Sequence, residues 1–286
     1  IKRIGQINNN ISKKVKSQYE ENPYPRWRYT NNFNSQKMTI EQAINCEIQP
    51  NYIYKSVYEN KIKVLIAGCG TGQQIFQSQR YKNAQITAID LSLKSLSYSQ
   101  RKINEHNIDN VELIQLDILD INLLTEKFDI IDCGGVLHHM QNPLKGLKSL
   151  LNVLKYDGFL RLGLYSELAR KDIITAKNYI SENKIDPNKE NIRSFRRKII
   201  SGKLNGLDTI KNSPDFYSLS SIRDLCFHEQ EHRFTINELK EIFKSEKLEF
   251  LGFSLPERIK NLYKNHFSKD KKQTNLENWK SLEEIH

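Results

Sequence analysis

The sequence predicts an α/β protein, a doubly wound, mostly parallel sheet with an N-terminal cap and a helical insert after the fifth strand. Five short apolar runs, KVLIAG, AQITAID, VELIQLD, FDIIDCGG and FLRLGLY, recur from Lys61 onward with polar stretches of helical length between them. A glycine-rich loop, AGCGTG at Ala67 to Gly72, directly follows the first run, and Asp90 and Asp117 close the second and third. Strand and helix in strict alternation build a parallel sheet covered on both faces.

Taken in order, residues 1–60 are polar and read as an irregular arm or lid. NNN and TNNFNS are loop material, and two prolines keep PYPRW, Pro23 to Trp27, out of a helix. Residues 61–166 form the core. After Pro143 the leucines Leu147, Leu150, Leu151 and Leu154 recur at helical spacing, and Tyr156 to Gly158 supplies a stop before the fifth strand. Residues 167–233 read as a helical insert. In residues 234–255, Thr235 and Glu238 offer a capping box for a helix that leads into FLGFSL, expected as a sixth strand. Residues 256–286 read as helix and loop.

Composition narrows the partners. The chain has 286 residues and a formal net charge of +10. No apolar run approaches the roughly 18 residues that a membrane helix needs, so no membrane partner is expected. Cys46, Cys69, Cys133 and Cys226 are scattered without a C-x-x-C pair, which fits a reducing, cytoplasmic setting and neither a disulfide framework nor a zinc ribbon. Basic residues cluster in RSFRRK, Arg193 to Lys198, and at Lys269, Lys271 and Lys272. Solvated faces are the expectation for both clusters, with nucleic acid as the less favoured partner. The chain opens on Ile1, and further sequence upstream is expected.

Ligands of open α/β sheets lie beyond the carboxyl ends of the strands, which sends Gly68, Asp90, Asp117 and Cys133 to one crevice. GCGTG, AIDLS, LDI and FDII…GVLHHM together, over about residues 61–165, resemble the class I S-adenosylmethionine-dependent methyltransferases, whose sheet is Rossmann-like. The resemblance implies that Gly68, Cys69 and Gly70 pass beneath the methionine portion of S-adenosylmethionine. It implies further that Asp90 and Leu91 hold the ribose, Asp117 and Ile118 recognise adenine, and Cys133 and Gly134 border the sulfonium. A dinucleotide fingerprint would place a third glycine where Ile75 stands. Family members commonly carry an acid two residues before the first glycine; here it is Ile66, so a loop carbonyl or Gln73 is expected to take the cofactor's amino group. The flanks QYEENPYPRW, LGLYSELAR and DFYSLSSIRDLCFHEQEHRFT resemble a bacterial methyltransferase group whose domain often follows tetratricopeptide repeats, which implies such repeats upstream.

Methyl transfer from a sulfonium needs alignment and exclusion of water more than a protein nucleophile, and needs a base only if the acceptor must first lose a proton. His139, Tyr165 and His232 are the candidates for that base. Tyr24, Trp27, His138, Phe216, Tyr217, His228 and Arg233 are the candidates for the acceptor pocket. The acceptor is expected to be a protein side chain or a small molecule. The N-P-P-Y type element of many nucleic-acid amino-methylating enzymes is missing, with GGVL at its place. An RNA methyltransferase and a non-catalytic cofactor-binding module remain the alternatives. FHEQEHRF, Phe227 to Phe234, contains the H-E-x-x-H letters of zinc proteases, but a zinc helix needs both histidines on one continuous helix, and Thr235 opens a new helix just after His232. No metal is expected there.

Overall fold

The computed structural model describes residues 1–30, 36–54 and 61–285. The asparagine-rich stretch read as a loop lies mostly at residues 31–35, outside the described residues, and so does the end of the cap at residue 60. Six strands, β1 (Lys2–Arg3), β2 (Ile62–Ala67), β3 (Ala84–Asp90), β4 (Val111–Gln115), β5 (Phe128–Gly134) and β6 (Leu154–Gly163), form one sheet in the order β1-β4-β3-β2-β5-β6. Every pairing among them is parallel. The order reverses between β2 and β5, which opens a crevice at their carboxyl ends.

The alternation of side chains along a strand explains why these runs are apolar throughout. Val64 and Ile66 of β2 face a core shared with Ile86 and Ala88 of β3, under α2 (Ile40–Ile48), α3 (Gln73–Ser78) and α4 (Leu93–Glu105). Leu65 and Ala67 face the opposite core with Ile89, Ile131 and the leucines of α5 (Pro143–Val153). Leu147 and Leu150 of α5 are buried, as their spacing predicts. The stop expected at Tyr156 to Gly158 is absent: β6 starts directly after α5, with an irregular register between Phe128 and Ile130 of β5.

The cap is more ordered than its polarity suggests. Asn9 caps α1 (Asn10–Glu21) through a bond from the Ser12 amide (3.0 Å), and Thr39 with Gln42 makes a capping box on α2. Between them, among the described residues, Asn22 to Thr30 form an irregular strap, and Gln36 to Thr39 carry an isolated bridge from Met38 to Tyr81. The insert carries α6 (Lys171–Glu182), α7 (Lys189–Ile200) and α8 (Leu219–Phe227) around its own core of Phe195, Phe216, Ile222 and Phe227. Its two ends are stitched together where Phe234 N–H donates to the Tyr165 carbonyl (2.8 Å) and Glu167 N–H to the Phe234 carbonyl (3.1 Å). The capping box at Thr235 opens α9 (Ile236–Ser245) as the sequence predicts.

FLGFSL is not a strand. Phe250, Phe253 and Leu255 pack with Tyr263 of α10 (Glu257–His266) and Trp279 of α11 (Leu276–Ile285), so helices rather than a sheet edge take this apolar run. Residues 256–285 are helix and loop, as read from the sequence. No described helix is long and apolar enough to cross a membrane.

Candidate active site

The loop after β2 turns tightly because Gly68, Gly70 and Gly72 adopt φ of 80°, 52° and 91°, conformations that favour glycine. The Gly68 and Cys69 amides both donate to the Ile89 carbonyl, at 2.8 and 2.9 Å, which fastens the turn to the end of β3. Asp90 continues that anchoring: its carboxylate accepts from Gly70 N–H and Ser92 N–H, each at 2.8 Å. Burial pushes the Asp90 carboxyl up to about 6, against the pull of those amides. At the next strand end Asp117 accepts from the Leu119 amide (3.0 Å) beside buried Ile118.

The strap closes over this loop. The Tyr24 carbonyl accepts from Thr71 N–H (3.2 Å), and a side chain on Gly70 would meet that carbonyl at 2.5 Å. Thr71 Oγ1 donates to the Pro25 carbonyl (2.5 Å) and accepts from the Trp27 indole (3.0 Å). Trp27 packs edge-on to Phe76 and Tyr98 and joins the core below. It anchors the strap and does not line the cavity, contrary to its assignment as an acceptor contact.

Cap and insert meet over the crevice through two phenol–carboxyl pairs. Tyr19 donates to Asp224 Oδ1 (2.6 Å) and Tyr24 to Asp215 Oδ2 (3.3 Å). Behind Tyr19 stand two stacked imidazoles, His139 and His228, with ring centroids 3.5 Å apart and planes 18° from parallel. The backbone of one residue, Gln230, fixes both tautomers. His139 Nδ1–H donates to the Gln230 carbonyl (2.7 Å), whereas His228 Nδ1 accepts from Gln230 N–H (3.2 Å). Neutral His228 therefore carries its proton on Nε2, 3.2 Å from the Tyr19 oxygen. Burial pulls His139 down to about 4 and His228 lower still, so both are neutral at physiological pH. It pushes the Asp224 carboxyl up to about 7.

These elements enclose one cavity of about 1960 Å³. Of the residues expected at the cofactor, Gly68, Cys69, Gly70, Gln73, Asp90, Leu91, Asp117, Ile118 and Gly134 line it. Cys133 does not: its side chain is fully buried in the core beneath the sheet. Of the acceptor-side residues, Tyr24, His139 and Tyr165 reach the cavity. His138 is stacked under Tyr165 (3.7 Å), whose other neighbour is the Arg170 guanidinium (3.7 Å). Phe216 is swallowed by the insert core, and Tyr217 is exposed on its outside with its hydroxyl on the Lys211 carbonyl (2.9 Å). His228 backs the cavity wall without lining it. His232 holds the floor through its amide on the His138 carbonyl (2.7 Å), and Arg233 is tied to Glu167 (2.9 Å). Sequence reasoning overlooked Asp215, Asp224 and Gln74. The Gln74 amide donates to the Gly134 carbonyl (3.3 Å), and its signal is the polar pair that opens the helix after the glycine loop.

The HEQEH histidines lie between α8 and α9, off any helix, so the zinc-helix arrangement is not formed. A different trio, His139, Asp224 and His228, brings donor atoms within 4.8 Å of one another. The two ring planes are nearly parallel with centroids 3.5 Å apart, so their in-plane lone pairs cannot converge on a single ion as a tetrahedral site requires. The Gln230 backbone also occupies Nδ1 of each ring. Metal analysis of the purified protein should accordingly find no stoichiometric zinc, and a tightly held zinc lost in His228→Ala would contradict this geometry.

A glycine cradle, a carboxylate at the end of the adjacent strand and a second acid one strand further, converging at the switch point of a parallel sheet, define a protein that binds a nucleoside-bearing cofactor. The family model for a methyltransferase domain matches residues 58–245. The chain belongs to that family, the S-adenosylmethionine-dependent methyltransferases. It is similar to an uncharacterised protein of Synechococcus sp., 30% identical over 201 residues, 67% of this chain and 48% of the relative. It is also similar to a ubiquinone biosynthesis O-methyltransferase of Glaesserella parasuis, 35% identical over 112 residues, 38% of this chain and 47% of the relative. In fold it is similar to PKMT2 from Rickettsia typhi, solved in complex with AdoHcy, with a TM-score of 0.61, 20% identity and coverage of 88% of this chain and 52% of that one. The chain spans about half the length of the curated relatives it matches.

The residues present fit S-adenosylmethionine. The left-handed turn leaves the cradle without side chains at Gly68 and Gly70, and the Asp90 carboxylate borders the same cavity as Asp117 and Ile118. Ile66 is fully buried in the core, so it cannot serve the cofactor's amino group.

Proposed function

We propose that this chain transfers the methyl group of S-adenosylmethionine to a protein side chain or a small molecule, with residues 61–166 and 234–255 as the cofactor-binding core, 1–60 as its lid, 167–233 as the acceptor-side insert and 256–286 as a tail. The observation that carries the reading is the convergence of Gly68, Gly70, Asp90 and Asp117 on one cavity whose other wall is built by cap and insert. In this proposal Asp90 and Leu91 hold the ribose, Asp117 and Ile118 the adenine, and Gln73, Gln74 and the Gly134 carbonyl the amino-acid end in place of the missing acid. When bound, the cofactor supplies an electrophilic methyl group. The strap and insert exclude water from it. His139, neutral and lining the cavity, can accept a proton of the acceptor, while Tyr165, whose phenol burial keeps protonated, can orient the acceptor by hydrogen bonding.

The bacterial group with the PYPRW and QEHRF elements is the subgroup favoured here, because the first forms the strap over the glycine loop and the second carries the Gln230 peptide that orients His139 and His228. Association with tetratricopeptide repeats and a cytoplasmic setting rest on that resemblance and on the cysteine pattern. The RNA alternative is weakened by the position of RSFRRK. Its Phe195 is buried in the insert and Arg196 lies over Phe216 (5.5 Å), leaving Arg193, Arg197 and Lys198 on a face that does not line the cavity. Incubation with methyl-labelled S-adenosylmethionine and cell extract tests the proposal. Label removed by protease, or found in small molecules, supports it. Nuclease-sensitive label that weakens steeply with salt would favour RNA, and stoichiometric binding without any transfer would favour a non-catalytic module.

A further inference from the structure

The seam between cap and insert holds two carboxyl groups that cofactor binding does not use. Asp224 is 4% exposed, yet it lines the cavity. Its Oδ1 accepts from Tyr19, and among the described residues nothing donates to Oδ2. Asp215, paired with the Tyr24 hydroxyl, lines the same wall. The cation beside them, Arg170, is already committed: it is paired with Glu231 (2.7 Å), bonded to the Leu225 carbonyl (3.3 Å) and stacked on Tyr165. This wall therefore has two acids and no uncommitted cation among the described residues that line it.

We propose that the acceptor is an amine, which enters as its ammonium ion between Asp224 and Asp215 and gives up its proton to Asp224. The inference rests on the methyltransferase reading and names the substrate class for that site. An ammonium ion neutralises the surplus charge and can donate to the open Oδ2, whereas a carboxylate would add a third negative charge in a poorly solvated space. Hydrogen-bond direction agrees. His228 Nε2–H donates to Tyr19, and Tyr19 donates to Asp224, so the network behind Asp224 supports its charged form and leaves its second oxygen facing the cavity. The groups that face Asp224 are Tyr19, Tyr24, Tyr165, Asp215, His139, His228, Arg170 and Glu231, of which the two histidines are neutral and the phenols protonated. Burial brings the carboxyl to about 7, near neutral pH, and a bound sulfonium together with desolvation lowers the ammonium toward it.

The step balances. The ammonium N–H bond breaks and its proton goes to Asp224, leaving a lone pair on nitrogen. That pair forms the N–C bond to the methyl group as the C–S bond breaks and its electrons pass to sulfur, giving the methylated ammonium ion and S-adenosylhomocysteine. Asp224 then returns its proton to solvent.

The test uses protein saturated with S-adenosylhomocysteine and three probes of one shape, n-butylammonium, n-butanol and butyrate, followed by ligand-observed NMR titration. Butylammonium should bind about tenfold or more tightly than either of the others, and Asp224→Asn should weaken it about tenfold. Asp215→Asn, at a half-buried position, repeats the measurement where a folding defect is least expected, and melting curves accompany both variants. Butanol or butyrate binding as well as butylammonium, absence of butylammonium binding, or unchanged affinity in both variants would overturn the amine assignment. Binding of S-adenosylhomocysteine is titrated first in the same samples. Its failure in the wild type would remove the methyltransferase reading itself, while its success without a preference for the cation removes only the amine.

Discussion

Asp90→Ala is expected to weaken S-adenosylmethionine binding by about 100-fold. Each charge-assisted hydrogen bond from a ribose hydroxyl contributes about 1.5–3 kcal/mol, so losing two costs about 3 kcal/mol or more. The carboxylate also receives the amides of Gly70 and Ser92, so alanine loosens the glycine cradle as well as deleting the acceptors. Asp90→Asn grades the two effects. It retains one carbonyl oxygen and most of the shape but sets its NH2 against the Gly70 or the Ser92 amide, so it should bind with intermediate affinity and melt between the wild type and Asp90→Ala. Calorimetry that finds equal affinity in wild type and Asp90→Ala would take the ribose away from this residue.

Asp224→Asn is expected to make the fold more stable at pH 8 and to make methyl transfer slower. The folded-state carboxyl titrates at about 7, above the roughly 3.9 of an unfolded aspartate. Between those values the folded protein holds a proton that the unfolded chain has released. Wild-type stability is therefore greatest below about pH 4, falls as pH rises to about 7, and is level beyond it. Asparagine keeps an acceptor for the Tyr19 hydroxyl and never becomes charged, so the variant's advantage should be full above pH 7 and vanish near pH 4. At about 1.4 kcal/mol per unit, the advantage is a few kcal/mol at most. Thermal melts across this range measure it. A variant that melts below the wild type at pH 8 would mean that the ionised carboxylate stabilises the seam.

The half of the cavity built by the glycine loop and the strand-end acids, proposed to take the nucleoside, is legible in the sequence because its signals are local. A glycine turn, an acid closing the next strand and apolar runs of strand length all act within a few residues of where they are read, and the strand-helix alternation fixes where they meet. The acceptor half is not. Asp224 and Asp215 look like ordinary helix-terminus or loop acids until Tyr19 and Tyr24, about two hundred residues earlier, are packed against them. Aromatic type says nothing about direction, so the sequence alone does not distinguish a ligand-facing Phe216 or Trp27 from the inward packing that both adopt. FLGFSL has the composition of a strand, but composition cannot supply a partner, and aromatic contacts with α10 and α11 were the stronger attraction. The polar sequence of α1 hid a helix whose narrow buried stripe is only Ser12, Val15 and Gln18.

The cap–insert seam also bears on how the protein is made. Tyr19 and Asp224 are separated by 205 positions, and Arg223 reaches Glu21 across nearly the same interval. Contacts of that separation bring the full loop-closure entropy before they return any stability, so they form late in folding. A chain emerging from the ribosome would present the strap and the glycine loop well before the α8 carboxylate exists. The sheet and its glycine loop can thus assemble first, and the cap–insert seam, the proposed acceptor wall, is the final piece to be set in place.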